Sequence, residues 1–216
     1  REVKAVNNEH EKNKLNDGWR GSFVQHQVSE PNHPITKFGT GNQKTLSGDN
    51  RPALLGFYEK YYAASNMKLA LISNMPMQGL FNVAKLYFSD IPNRMVKTPV
   101  ISSEFRKPLK NHYRLLQIKT IKDIRTLEID FPTIRLDDYQ GSKPASIIGS
   151  LLGHEGKGSL LSKLKEEGLV LGLNAGGGSS HPDINSFGIS VSLTPKGLKE
   201  YERILIIVFN YIQMIR

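Results

Sequence analysis

Cysteine is absent from the 216 residues, so no disulfide can staple the chain and no thiolate can bind a metal or act as a nucleophile. That is compatible with an oxidising compartment without requiring one, and periplasmic and cytoplasmic placements both fit. Long apolar runs are missing too: the longest, Ile204–Phe209, is far shorter than a membrane span. No leader-like apolar segment follows the charged opening, REVKAVNNEHEKNK. The sequence starts without methionine and stops inside a helical pattern, which leads to the expectation of an internal piece of a longer polypeptide.

Several catalytic patterns are lacking as well. Six histidines are present, but no two share an H-x-x-x-H or H-x-x-E-H spacing, so no helical two-histidine zinc site lies within these residues. There is no Gly-x-Ser-x-Gly elbow. In Gly153–Ser159 (GHEGKGS) the lysine precedes the last glycine, against the order a phosphate-binding loop needs. The tract Gly172–Gly178 lacks dinucleotide-binding spacing. Small residues of this kind beside a strand instead permit close approach of another backbone. The net charge of +9 comes from scattered lysines and arginines without interleaved aromatics, which argues against a nucleic-acid surface.

What remains is 38% hydrophobic and 23% charged, enough for a packed core. Arg1 to Arg20 reads as one helix, with no breaker before Gly18. Glu2 and Glu9 lie seven residues apart, about 20° apart around that helix. Two carboxylates on one face suit a metal ligand with a supporting partner; they equally suit a solvated acidic stripe, since Lys4, Glu11, Lys12 and Lys14 charge the helix all round.

Gly21 to Asn50 is polar and rich in turn formers, the signature of a disordered or functional loop, with HPITKFGTGN (His33 to Asn42) favouring order. Pro52 opens a helix, Asn66–Ser73 reads as a strand, and Met77–Phe88 as a second helix. The three prolines between Pro92 and Pro108 mark a linker. Tyr113–Lys119 and Thr126–Phe131 read as a hairpin-like pair around KDIR. Ala145–Leu152 and Ser159–Glu167 read as helices, Leu169–Leu173 and Ile184–Leu193 as strands. Thr194 and Pro195 start a long last helix with the stripe Leu198, Tyr201, Leu205, Val208, Ile212 and Ile215. Strands grouped with helices predict an α+β fold with antiparallel or mixed sheets.

REVKAVNNEHEKNKLNDGWR, NHPITKFGTGN, FYEKYYAASNMKLAL, IKDIRTLEIDFP, LLGHEGKGSLLSKLKEEGL and SLTPKGL occur in the order in which the insulin-degrading enzyme and pitrilysin family carries similar blocks. The chain resembles that family of inverted-motif zinc metallopeptidases across its whole length. The resemblance implies two-layer α/β domains and parts of two homologous ones, residues 1–98 closing the first and 99–216 opening the second. It implies a zinc-dependent endopeptidase of oligopeptides working in an enclosed chamber, its partners being peptide substrates and the remaining domains of the same polypeptide. A homodimer is compatible with it. Glu9 matches the third ligand of a Zn2+ ion whose two histidine ligands lie in H-x-x-E-H, upstream of Arg1 in the family, and Glu2 matches the acidic residue supporting it. Trp19 falls on the substrate side. Gly153, His154, Glu155 and the strand Leu173, Asn174, Ala175, Gly176 and Gly177 match an exosite that anchors the peptide as an added strand. Two departures stand out: Ser22 replaces an expected aromatic, beside a Gly21 expected to shorten the helix, and Lys157 is unusual in its loop, favouring acidic peptide ends. A catalytically inactive paralogue that only binds peptides or assembles complexes is the alternative.

Overall fold

A computed structural model of the chain describes residues 2–97, 114–181 and 184–216. The chain divides into two compact units: Arg1–Glu11 with Gly39–Ile101, and Lys12–Phe38 with Ser102–Arg216. Much of the expected Pro92–Pro108 linker lies outside the described residues. Among those described, no helix is long and apolar enough to cross a membrane.

The first unit holds most of α1 (Glu2–Asn13), α3 (Arg51–Tyr61) and α4 (Met77–Phe88). Asn42 organises its loop: the side-chain oxygen accepts the N–H groups of Lys44 and Thr45, both at 3.0 Å. Asn7 on α1 accepts the Gln43 N–H at 2.9 Å. Arg94 reaches back to donate to the Glu59 carbonyl at 2.6 Å, and Ala64 N–H bonds the Pro92 carbonyl at 2.9 Å. The strand expected at 66–73 is not formed: beyond a single 3-10 turn, Ala64–Asn66, this stretch has no regular structure. Alternating apolar residues make a strand only where a ladder partner exists, and every paired strand among the described residues belongs to the second unit.

The second unit takes up the chain at Lys12. The single opening helix expected through Arg20 is broken at 14–16, because Asn16 turns extended and its side chain caps a new helix, α2 (Asp17–Gln27), by accepting the Trp19 N–H at 3.2 Å. Gly21 does not shorten α2, which runs on through it. The loop beyond is ordered by His33, whose Nδ1 accepts the Ile35 N–H at 3.1 Å to cap a 3-10 turn, Pro34–Thr36.

The same unit carries the sheet. β1 (Thr126–Pro132), β2 (Val170–His181) and β3 (Ile184–Leu193) form an antiparallel sheet in the order β1-β3-β2. β1 therefore pairs with β3 rather than with the stretch around 114–119, and the expected hairpin is not formed. One face of the sheet, presenting Leu173, Ile189 and Val191, packs under α5 (Pro144–Leu152), α6 (Leu160–Glu166) and α8 (Tyr201–Ile215), against Leu160, Leu164, Ile204 and Val208. Ser159 caps α6 through the Ser162 N–H. The last helix is two helices. Thr194 caps α7 (Pro195–Lys199) by accepting the Gly197 N–H at 2.9 Å, and the chain bends at Glu200 before α8. Gly197 lies so close to the 169 peptide that a Cβ there would come within 1.9 Å of the Leu169 carbonyl oxygen. The bend rotates the stripe: Ile204 and Val208 are buried, whereas Leu198, expected inside, is half exposed.

Candidate functional site

The register of the central strand decides what the sheet offers at its edge. Leu193 N–H bonds the Arg125 carbonyl at 2.8 Å and Thr133 N–H bonds the Asn185 carbonyl at 3.1 Å, so the odd-numbered residues of β3 point their peptide groups at β1. Alternation then turns its even-numbered residues to β2, where Gly188 faces Gly176 and Ser190 faces Asn174. It follows that Gly172, Asn174, Gly176 and Gly178 spend their peptide groups on β3. Leu173, Ala175 and Gly177 turn theirs outward, where no further strand pairs among the described residues.

Beside that edge runs an open groove of about 340 Å³, lined by Leu173, Asn174, Ala175, Gly176 and Gly177 on one side and by Ser146, Gly149, Ser150, Gly153 and Glu155 on the other. The wall stands close because glycines build it. A Cβ on Gly149 would come 2.9 Å from the Ala175 carbonyl oxygen and 3.2 Å from Gly176 Cα, and one on Gly177 would meet Ala145 Cβ at 2.5 Å. At Gly176 a Cβ would meet nothing within 4 Å.

The structure thus brings together Gly153, Glu155 and residues 173–177. His154 is not among the groove's lining residues: its Nδ1 accepts the Gly156 N–H at 3.0 Å and folds the ring onto its own loop. Ser146, Gly149 and Ser150 were not anticipated. Their spacing with Gly153 is that of one helical face, a pattern visible in the sequence, but it acquires meaning only once α5 is known to lie along β2.

On the opposite face of the sheet, Ser190 donates to Glu128 at 2.8 Å. Partial burial lifts the Glu128 carboxyl above its ordinary range, opposed by the serine bond and reinforced by Asp130.

Glu2 and Glu9 are both exposed on α1. Among the described residues no group of three or more His, Asp or Glu side chains could enclose a metal ion. The described residues alone therefore do not enclose a zinc ion; Glu9 can offer one carboxylate to a site completed from elsewhere. Trp19, on α2, is 44% exposed and packs its ring 5.7 Å from that of Phe38. Phe38 also meets Phe23 at 5.4 Å, so an aromatic lies one position beyond Ser22.

Comparison with known proteins gives consistent results. Residues 50–216 match the family model described as the peptidase M16 inactive domain. The insulin-degrading enzyme of Drosophila melanogaster is 39% identical over 225 residues, covering all of this chain and 22% of its own length. A Schizosaccharomyces pombe protein bearing the name of a zinc protease is 37% identical over 225 residues, again covering all of this chain and 23% of its own. The crystal structure of pitrilysin superposes with a TM-score of 0.83 at 29% identity, over 99% of this chain and 23% of that one. The chain thus spans under a quarter of the length of these relatives.

Proposed function

The chain belongs to the peptidase M16 family, and from that premise we propose that it is the peptide-anchoring part of a zinc-dependent metalloendopeptidase that degrades oligopeptides in an enclosed chamber. In this reading, residues 1–98 complete one domain and 99–216 begin the next. Glu9 supplies one ligand to a zinc ion, and Glu2 supports it from one helical repeat away. In such a site zinc activates water and polarises the scissile carbonyl. This chain's own share of the work is to bind: Trp19 lies on the substrate side, and the groove beside β2 holds one end of the peptide.

The observation that carries the reading is the outward-facing backbone of Leu173, Ala175 and Gly177 along a groove with glycine walls. An extended peptide laid there gains a strand's hydrogen bonds whatever its side chains, which suits substrates of varied sequence. Glu155 at the groove places a carboxylate where a peptide's terminal amine would find a counter-charge. His154 stays in the proposed site as part of the loop that shapes it, and Lys157 as a cation favouring acidic peptide ends.

The alternative is an inactive paralogue that binds peptides or assembles complexes. The two share the docking edge and differ in the metal.

The edge is tested from the peptide's side. In the full-length protein silenced by a chelator, a labelled long peptide is N-methylated one amide at a time. Strand addition predicts losses at every second amide, each about two- to tenfold, the worth of one backbone hydrogen bond. Losses with no period of two would refute it.

A further inference from the structure

The segment that enters the sheet is tied, before it arrives, to the helix that carries Trp19. Asp17, in the first turn of α2, accepts the Ile121 N–H with Oδ1 at 2.8 Å and the Lys122 N–H with Oδ2 at 3.0 Å. Its side chain is only 9% exposed, and Arg20 flanks it at 3.8 Å. Arg20 also donates to the Lys119 carbonyl at 3.1 Å, and Arg114 donates to the Val28 carbonyl at the far end of the helix. Three residues later, Arg125 offers its carbonyl to Leu193, and β1 begins. All of these groups lie in the second compact unit.

A carboxylate that uses both oxygens on two successive backbone N–H groups is a directional tie. It fixes where the 121–122 peptide sits against the α2 terminus, and charge-assisted bonds of this kind are the strong ones. Those two bonds also hold the Asp17 carboxyl below its ordinary range. A surface ion pair would leave that spacing loose; this arrangement does not.

We infer that Asp17 is a positioning residue for long substrates. By clasping α2 to the segment that becomes β1, it fixes the spacing between Trp19 and the docking edge, two strands away in the same sheet. This rests on the reading of β2 and Trp19 given above. A peptide that engages both places gains from the second contact only if their separation is fixed and matches the peptide's span. A short peptide that touches only one place gains nothing from the clasp.

The test uses the full-length protein with Asp17→Ala and Asp17→Asn, a long peptide and one too short to reach both places. The ratio of kcat/KM for long over short should fall roughly tenfold in Asp17→Ala, a modest part of what linked contacts can add. In Asp17→Asn, isosteric and retaining one acceptor oxygen, it should fall about threefold. Hydrogen exchange at the Ile121 and Lys122 amides should quicken in both. A merely structural role would lower both substrates together; equal losses, an unchanged ratio or unchanged amide exchange would overturn the inference. A failed N-methyl pattern at β2 would sink the docking reading instead, and amide exchange alone would then show whether the clasp holds.

Discussion

Gly149→Ala is the sharpest perturbation of the groove, because one methyl group acts on both of its walls. The new Cβ would stand 2.9 Å from the Ala175 carbonyl oxygen and 3.2 Å from Gly176 Cα. Carbon atoms in good contact lie about 3.5–4.0 Å apart, so α5 and β2 must separate by several tenths of an ångström. Both neighbours are backbone, which cannot swing aside as a side chain would. Overpacking of this kind costs about 1–3 kcal/mol. Against it, alanine in place of glycine inside α5 returns about 1 kcal/mol of helix propensity. The net is a destabilisation of about 0–2 kcal/mol, small enough for the protein to fold.

Binding should suffer more visibly. The methyl covers the Ala175 carbonyl, one of the acceptors facing the groove, and the loss of one hydrogen bond is worth about 0.5–1.5 kcal/mol. The affinity of a long peptide should therefore fall by about two- to tenfold. Fluorescence anisotropy with the chelated full-length protein measures this, and urea unfolding of the same samples measures the stability. Gly172→Ala is the control, since a Cβ there meets nothing within 4 Å and the peptide groups of Gly172 face β3. If Gly149→Ala binds as tightly as the unaltered protein, or Gly172→Ala loses as much, the assignment of the docking edge is wrong.

Two further outcomes are expected. Glu9→Gln in the full-length protein should lower zinc content and abolish peptide hydrolysis, whereas Glu2→Gln should weaken zinc affinity about 10–100-fold, as loss of an outer partner does; unchanged metal content in Glu9→Gln favours the inactive-paralogue reading. Glu167 is held below the ordinary carboxylate range, first by its bond with Arg203 and then by Lys163, so its stabilisation is present above the unfolded carboxylate pKa and disappears as pH falls through the folded one. The melting difference between the unaltered protein and Glu167→Gln should be clear at pH 7 and shrink steadily as acid protonates the folded-state carboxylate.

Local chemistry made much of the fold readable. The Met77–Phe88 helix matches its expected bounds, α5 begins one residue before the expected Ala145, α6 follows its cap Ser159, and α7 begins at Pro195 behind Thr194. These signals act within a few residues and need no partner. The larger misreadings involve distant or competing groups. Residues 66–73 alternate correctly but have no strand to pair with among the described residues, and Thr126–Pro132 takes β3, far along the chain, over its neighbour in sequence. At Asn16 a side-chain cap ended a stretch that carries no breaker before Gly18. At Glu200 the docking of Gly197 on Leu169 bent a helix whose stripe looked continuous. The strand we propose for docking is marked in the sequence by its run of small residues; the α5 wall is not, because Ser146, Gly149 and Ser150 belong to a groove only through tertiary contact.

The outward-facing edge of β2 has a consequence beyond substrates. A twelve-residue strand with one side unpaired among the described residues is also a template for a second copy of itself, and edge-to-edge aggregation is the hazard such strands carry. The glycines at 172, 176, 177 and 178 counter it: they offer few side chains to interlock across sheets and carry poor intrinsic strand propensity. Two copies meeting here would gain backbone bonds but almost no zipper. A composition that would admit a foreign backbone at this edge thereby also makes it a poor seed for self-assembly.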